Sequence, residues 1–367
     1  MSLRPFPSST SILGLDLMRA LAVLLVLLSH WASHFDAWFA VPMPPWIDFL
    51  GDLGVELFFA LSGFLIGRIL IGLVASRPGW EDFRVFLTRR AMRTLPLYFL
   101  WLALLLLLFP PRGDAAATAL RFATLTQNLA GPMPPDHWYA VTWSLAIEEW
   151  FYLLFTGTLV ALRQWLGANR ALSLCLMVFL TVPLTLRLLH GAAPGQVFFR
   201  IDEIGYGVLM ARLSVRAAWV FRHPRVCLLA GLALVLAAIR GLPGVTPWLA
   251  AALTPNALVC GCALCLPAAL RFRTAAGWFA RPVRWLATRS YALYLVHLTI
   301  LVDVGENRLW DDGVWPPLPC ALLAIVLPFA LAELSYRFVE GPLLRRRPRQ
   351  GKAAARPLPP FNGNVAG

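Results

Sequence analysis

The sequence predicts an all-α membrane protein, a polytopic bundle of about ten transmembrane helices with both termini cytoplasmic. Three observations carry this. Hydrophobic residues make up 59% of the chain and charged residues only 14%, and the mean hydropathy is +0.68, too apolar for a domain with a solvated surface. Most of the 367 residues divide into apolar runs of about 17 to 25 residues, the length that crosses a hydrocarbon core. The arginines fall in alternate connections, as the positive-inside rule requires.

Spans are expected near 12–34, 53–75, 94–110, 141–162, 172–190, 197–213, 226–240, 248–270, 284–304 and 317–339. The first is expected to stay as an anchor, because Arg19 interrupts its apolar run and no small-residue cleavage site follows. It carries Arg19 and His30, eleven positions apart. At about 100° per residue that offset is three turns plus roughly 20°, so both side chains share one face about 16 Å apart. Glu56 sits one turn inside the outer end of the second span. Arg89, Arg90 and Arg93 precede the third, and Pro96 fixes where that segment enters the membrane. The longest outer connection, 110–140, has an alanine-rich middle, Ala115 to Asn128, that is either a helix on the membrane or a loop. The fourth span enters from outside and places Ser144, Glu148 and Tyr152 on one face at four-residue steps. From about 341 the chain reads as a basic, disordered cytoplasmic tail held near anionic lipid, which gives a transmembrane domain 1–340 and a tail 341–367.

The net charge of +13 would suit a nucleic-acid partner, but topology explains it. Arg77, Arg84, Arg89, Arg90 and Arg93 share one connection, Arg163 and Arg170 another, and Arg212, Arg216, Arg222 and Arg225 a third. Arg271, Arg273, Arg281, Arg284 and Arg289 fill the fourth, and the tail adds Arg345, Arg346, Arg347 and Arg349. One intervening connection is acidic, with Asp303, Glu306, Asp311 and Asp312. The expected partners are therefore a lipid bilayer and no nucleic acid. Cys260, Cys262 and Cys265 lie in an apolar span with no histidine nearby, so they read as small buried hydrophobes and no metal site is expected. No internal repeat is evident, which weighs against inverted-repeat transporters.

Ionisable groups inside spans tend to face a bundle interior or a wet cavity. His30, Glu56 and Glu148 are expected at similar outer depth. A histidine beside a carboxylate suits general-base or nucleophilic acyl transfer, and an interhelical polar bridge is the plainer alternative. Three guanidiniums within one turn at the inner face would grip phosphates, against the plain alternative of a topology signal. Composition alone fits a multispan transporter or flippase of a saccharide or lipid-linked glycan equally well. The outer tryptophans Trp31, Trp38, Trp46, Trp138, Trp248, Trp310 and Trp315 are interfacial anchors by default, or sugar-stacking platforms.

Several motifs in order resemble the membrane-bound acyltransferase-3 family. Leu15-Asp16 with Arg19 and His30 is similar to its first-helix arginine and histidine motif, and the stretch from Gly54 to Ile66 to its second-helix signature. Arg89, Arg90, Arg93, Pro96 and Tyr98 fall where its cytoplasmic arginine motif does. Trp143 to Glu149 with Phe151-Tyr152 resembles its Trp-Ser-Leu-x-x-Glu motif. Arg200 and Asp202 fit its sixth helix, and Ser290 to His297 its ninth. Glu56 stands where aspartate is more usual, and Trp150 where a polar residue is common. The hydrolase-like domain that some members carry after the last helix is not expected.

The resemblance implies an O-acyltransferase in the cytoplasmic (inner) membrane, with no tightly bound cofactor. Acetyl-CoA or another acyl-CoA would be the cytoplasmic co-substrate, and a hydroxyl of an extracytoplasmic glycan, glycolipid or glycosylated metabolite the acceptor. It implies catalytic roles for His30, Glu148, Arg19 and Glu56, acyl-CoA binding by Arg89, Arg90 and Arg93, and secondary roles for Ser144, Tyr152, Arg200, Asp202 and His297.

Overall fold

A computed structural model describes residues 12–75, 79–129, 131, 133, 138–191, 195–242, 244–273, 277–302 and 316–348. Among these residues every regular element is a helix. Arg77, Arg349, the acidic stretch Asp303 to Asp312, Trp310, Trp315 and the tail from 349 lie outside them.

The helices are α1 Leu13–Phe39, α2 Asp48–Ala75, α3 Trp80–Leu108, α4 Ala115–Ala123, α5 Trp143–His190, α6 Val197–Arg200, α7 Asp202–Arg216, α8 Pro224–Ile239, α9 Pro247–Leu264, α10 Leu266–Arg271, α11 Ala280–Thr299, α12 Pro317–Ser335 and α13 Gly341–Arg345. Seven helical stretches among the described residues are long and apolar enough to cross a membrane. One of them, α5, is broken at Gly167, whose φ of 74° a side chain would resist, and so supplies two passes. With the shorter α7 and α8, these match the ten expected spans. Proline opens α8, α9 and α12, where a missing N–H leaves no hydrogen bond unmade.

Two boundaries differ from expectation. α3 begins at Trp80 rather than near 94, because Glu81 and Asp82 in its first turn favour the helix start; Arg89, Arg90, Arg93 and Pro96 therefore lie within one continuous helix. At the other end, α12 runs through a π turn, Tyr336–Glu340, into α13. Residues 341–348 are thus ordered against the bundle, and the expected start of the disordered tail at 341 is too early.

The bundle closes around α2, which packs against α1 on one side and α7 on the other. Small residues make this possible. A Cβ at Gly63 would lie 2.0 Å from the Ile204 carbonyl oxygen, and one at Gly207 would lie 2.3 Å from that of Ala60. Gly63 and Gly67 on α2 face Gly207 and Ala211 on α7 at four-residue spacing, the close-contact pattern of membrane helices.

The alanine-rich stretch of the long connection forms α4, capped by Asp114, whose carboxylate accepts from the Ala117 N–H at 2.9 Å. It is fastened to the bundle rather than lying free: Phe122 is buried beneath Trp138 and Tyr139. Trp138 is also buried and donates to the Phe109 carbonyl at 2.7 Å, so neither it nor the buried Trp38 offers an open stacking face. Trp46 and Trp248 are exposed.

Candidate active site

Tertiary packing sorts the sequence-predicted residues into three groups. The first is a histidine pair. His30 on α1 and His297 on α11 meet edge to face with ring centroids 5.0 Å apart. His297 is buried, and its Nδ1 lies 2.9 Å from the Tyr294 carbonyl and 3.2 Å from that of Leu293. His30 Nδ1 lies 2.8 Å from the Val26 carbonyl and 3.4 Å from His297 Nε2. A carbonyl can only accept, so both Nδ1 atoms carry the proton. His30 Nε2 is then left with its lone pair, and the ring is only half-buried.

The second group lines a cavity of about 100 Å³ in the middle of the bundle. That is room for several waters or a slender chain, below the usual size of a drug-sized ligand pocket. Arg19, Glu148, Arg90 and Arg93 supply its charges, and Ser62, Ser144 and Tyr294 some of its hydroxyls. Arg19 has Asp16 3.7 Å away and lies in the field of Glu148, Arg90 and Arg93. Tyr294 joins cavity to histidines: its hydroxyl is 2.8 Å from Ser144 Oγ, and its ring centroid is 5.9 Å from that of His297. At the other end Arg90 lies over the Tyr152 ring, 4.4 Å from its centroid, and donates to the tyrosine hydroxyl, which is 2.6 Å from Ser62 Oγ.

Ser144, Glu148 and Tyr152 do share one face of α5, but they do not gather at His30. Over eight residues they climb about 12 Å, from the tyrosine beside the histidine pair to the arginines of α3. The expected convergence of two carboxylates on His30 is corrected in the same way. Glu148 faces the cavity with Arg19, and the carboxylates whose charge reaches His30 are Asp52 and Asp48 in the first turns of α2. Neither aspartate stood out in the sequence, since both precede the apolar run.

The third group is a buried charge network that holds Glu56. Its Oε1 accepts from Arg200 Nη2 at 2.7 Å, and Arg200 Nε donates to Glu203 Oε1 at 2.6 Å, with both carboxylates wholly inaccessible. The guanidinium also lies 4.7 Å from the centroid of the Trp143 ring. Glu56 therefore serves Arg200 rather than orienting His30, because a buried carboxylate requires a counter-charge and α2 turns that face toward α6 and α7. Asp202 belongs to the same layer, paired with Arg187 at 2.6 Å and accepting from Asn256 Nδ2 at 2.8 Å. Glu203, Arg187 and Asn256 were missed in the sequence. Arg187 carried a usable signal, an arginine inside an apolar run.

The connection after α3 also fixes this layer. Asn128 is buried, donates to the Trp143 carbonyl at 2.9 Å and accepts through its own carbonyl from the Val197 N–H at 3.1 Å. One residue thereby pins the start of α5 to the start of α6. Among the described residues no cluster of histidine, cysteine, aspartate or glutamate has the arrangement of a metal site.

Comparison with known proteins agrees with this architecture. YrhL of Bacillus subtilis is 28% identical over 90% of this chain and 54% of its own length. The peptidoglycan O-acetyltransferase OatA of Listeria monocytogenes is 26% identical over 90% of this chain and 55% of its own length. The O-acetyltransferase OatA of Staphylococcus aureus is 26% identical over 91% and 57%. The chain thus spans about half the length of the curated relatives it matches. No solved structure matches it. The model of the acyltransferase-3 family, described as an acyltransferase domain, matches residues 12–336, a range that holds the histidine pair, the cavity and the charge network, and the chain belongs to that family.

Proposed function

We propose that this protein is a multi-pass O-acyltransferase of the cytoplasmic membrane, with both termini cytoplasmic. It moves an acyl group, foremost acetyl, from cytoplasmic acyl-CoA to a hydroxyl of an extracytoplasmic glycan, glycolipid or glycosylated metabolite. The observation that carries this reading is the continuity of the polar path. Arginines on α3 stand at one end of the cavity, and a histidine with a free Nε2 lone pair stands beyond the other. The names of the Listeria and Staphylococcus relatives support O-acetyl transfer, the first of them to a glycan.

In this reading the donor's nucleotide end stays at Arg89, Arg90 and Arg93, and its pantetheine arm passes Arg19 and Glu148 toward the histidines. His30 Nε2 takes the proton of the acceptor hydroxyl as the oxygen attacks the thioester carbonyl. The C–S bond then breaks, and the imidazolium returns its proton to the departing thiolate. Attack by Nε2 itself uses the same geometry: the C–S bond breaks, the thiolate leaves a transient acyl-imidazolium, and as the hydroxyl oxygen takes the acyl group the C–N bond breaks and the hydroxyl proton passes to the thiolate. The Nδ1–H bond to Val26 and the contact with His297 hold the ring in the required tautomer. Ser144, Tyr294 and Arg19 are the donors able to meet a developing oxyanion.

His30→Ala tests the assignment. The variant is expected to insert, bind CoA and transfer nothing, read as a missing acetyl increment in mass spectra of surface glycans and secreted metabolites. Retained transfer would remove His30 from the chemistry. Export of an unmodified saccharide that persists when acetyl-CoA is depleted would replace the enzyme with a transporter or flippase.

A further inference from the structure

α12 does not end at the rim of the bundle. Through the π turn and α13 the chain turns back, and Arg347 and Pro348 lie against α3, where Arg89 Nη1 donates to the Pro348 carbonyl. This contact brings Arg347 beside Arg89, Arg90 and Arg93; burial, with the charges of those three arginines added, pushes the pKa of its guanidinium down to about 10. Arg347 Nε and Nη2 are buried without a hydrogen-bond partner among the described residues, and so is Arg90 Nε. The carboxylate within reach is Glu340, which also serves Arg93 and Arg289. Glu148 of α5 also faces Arg90 and Arg93, and Glu149 faces Arg90, but Arg19 draws on Glu148 as well, so three carboxylates meet five guanidiniums and positive charge remains in surplus. Buried donors without acceptors, in a field of surplus positive charge, favour a bound polyanion, and guanidinium forks match phosphate oxygens.

We propose that Arg347 is a further phosphate-binding residue, which with Arg89, Arg90 and Arg93 forms a clamp closed from the C-terminal side where Pro348 meets Arg89. The ligand rests on the function proposed above: the phosphates at the nucleotide end of an acyl-CoA. An anionic phospholipid headgroup offers the same chemistry and is the second source to separate. The clamp also gives α13 a purpose beyond anchoring, since it carries the fourth guanidinium back over the inner end of the cavity.

The experiment uses the full chain in nanodiscs of phosphatidylcholine, alone or with phosphatidylglycerol. Equilibrium binding of CoA and of 3′,5′-ADP is measured for the wild type, Arg347→Ala, Arg347→Lys and the exposed control Arg346→Ala. In phosphatidylcholine discs Arg347→Ala is expected to weaken both ligands by about tenfold or more. Arg347→Lys should fall between, and Arg346→Ala should match the wild type. An Arg347-dependent loss of phosphatidylglycerol retained in native mass spectra, with CoA binding unmoved, would assign the clamp to the headgroup. Equal CoA binding and equal lipid retention in wild type and Arg347→Ala would overturn the proposal, as would equal weakening in Arg346→Ala. S-acetylpantetheine, which lacks the nucleotide, separates phosphate binding from distortion of the site. Its KM should not move in Arg347→Ala, and a rise as large as that for acetyl-CoA would count against the clamp. CoA binding without acetyl transfer by the wild type would sink the enzymatic reading and leave the clamp standing.

Discussion

Glu56→Gln decides whether the fully buried carboxylate of α2 is chemical or structural. Arg200 is held between Glu56 at 2.7 Å and Glu203 at 2.6 Å, with both carboxylates inaccessible and the arginine side chain 11% exposed. Removing the arginine, as in Arg200→Ala, leaves two carboxylates facing each other without a counter-ion and should destabilise the fold by about 3–5 kcal/mol, a large share of the 5–15 kcal/mol typical of a folded domain. Glu56→Gln is milder. Its amide oxygen still accepts from Arg200, and Glu203 still neutralises the guanidinium. The loss is the difference between a charged and a neutral hydrogen bond, plus an NH2 placed where Oε2 already has no partner, together about 1–3 kcal/mol. Stability is readable without engineered cysteines, because Cys175, Cys227, Cys262 and Cys320 are buried free thiols that react with a fluorogenic maleimide only as the protein opens. Glu56→Gln should open at somewhat lower temperature, yet keep acyl transfer within about threefold of wild type. A fall of kcat by about 10²-fold or more, with thiol exposure unchanged, would refute this reasoning and return Glu56 to the chemistry of His30.

His297→Ala should lower kcat by about tenfold, since it loosens the ring of His30 but leaves its Val26 bond intact; a loss as deep as that of His30→Ala would make His297 the reacting base. The double variant Arg89→Ala and Arg90→Ala should raise the apparent donor KM with little change in kcat, and an unchanged KM would reduce the cluster to a topology signal. Gly63→Ala should cost about 1–3 kcal/mol or more, because its Cβ would meet the Ile204 carbonyl at 2.0 Å. Gly72→Ala on the same helix meets nothing within 4 Å and should be neutral or stabilising by about 0.5–1 kcal/mol. Equal thiol-exposure temperatures for these two variants would show that α2 and α7 are not locked at Gly63.

Much of the site was legible along single helices. The eleven-residue offset of Arg19 and His30, and the four-residue steps of Ser144, Glu148 and Tyr152, follow from helix periodicity alone, and both stripes turn inward as expected. Cross-helix pairing was not legible, because periodicity fixes the angle of a side chain about its own axis and says nothing of which neighbour it meets. That is why the sequence offers Glu56 to His30 when Arg200, 144 positions away, holds it, and why nothing along α11 itself shows that Tyr294 meets Ser144. Arg347 escaped for a related reason: a run of arginines after the last span looks like a solvated tail until the chain is seen to fold back onto α3.

What the sequence alone determined was an apolar chain cut to membrane length, arginines on alternate connections, and polar stripes on α1 and α5. These are local quantities, set by composition, spacing and the thickness of a bilayer. Tertiary structure decided which charges share a counter-ion, which histidine faces which, and where the polar path runs. Those depend on the rotation and approach of helices, which glycine contacts such as Gly63 against Ile204 govern to within a fraction of an ångström, a scale that spacing in one dimension does not record.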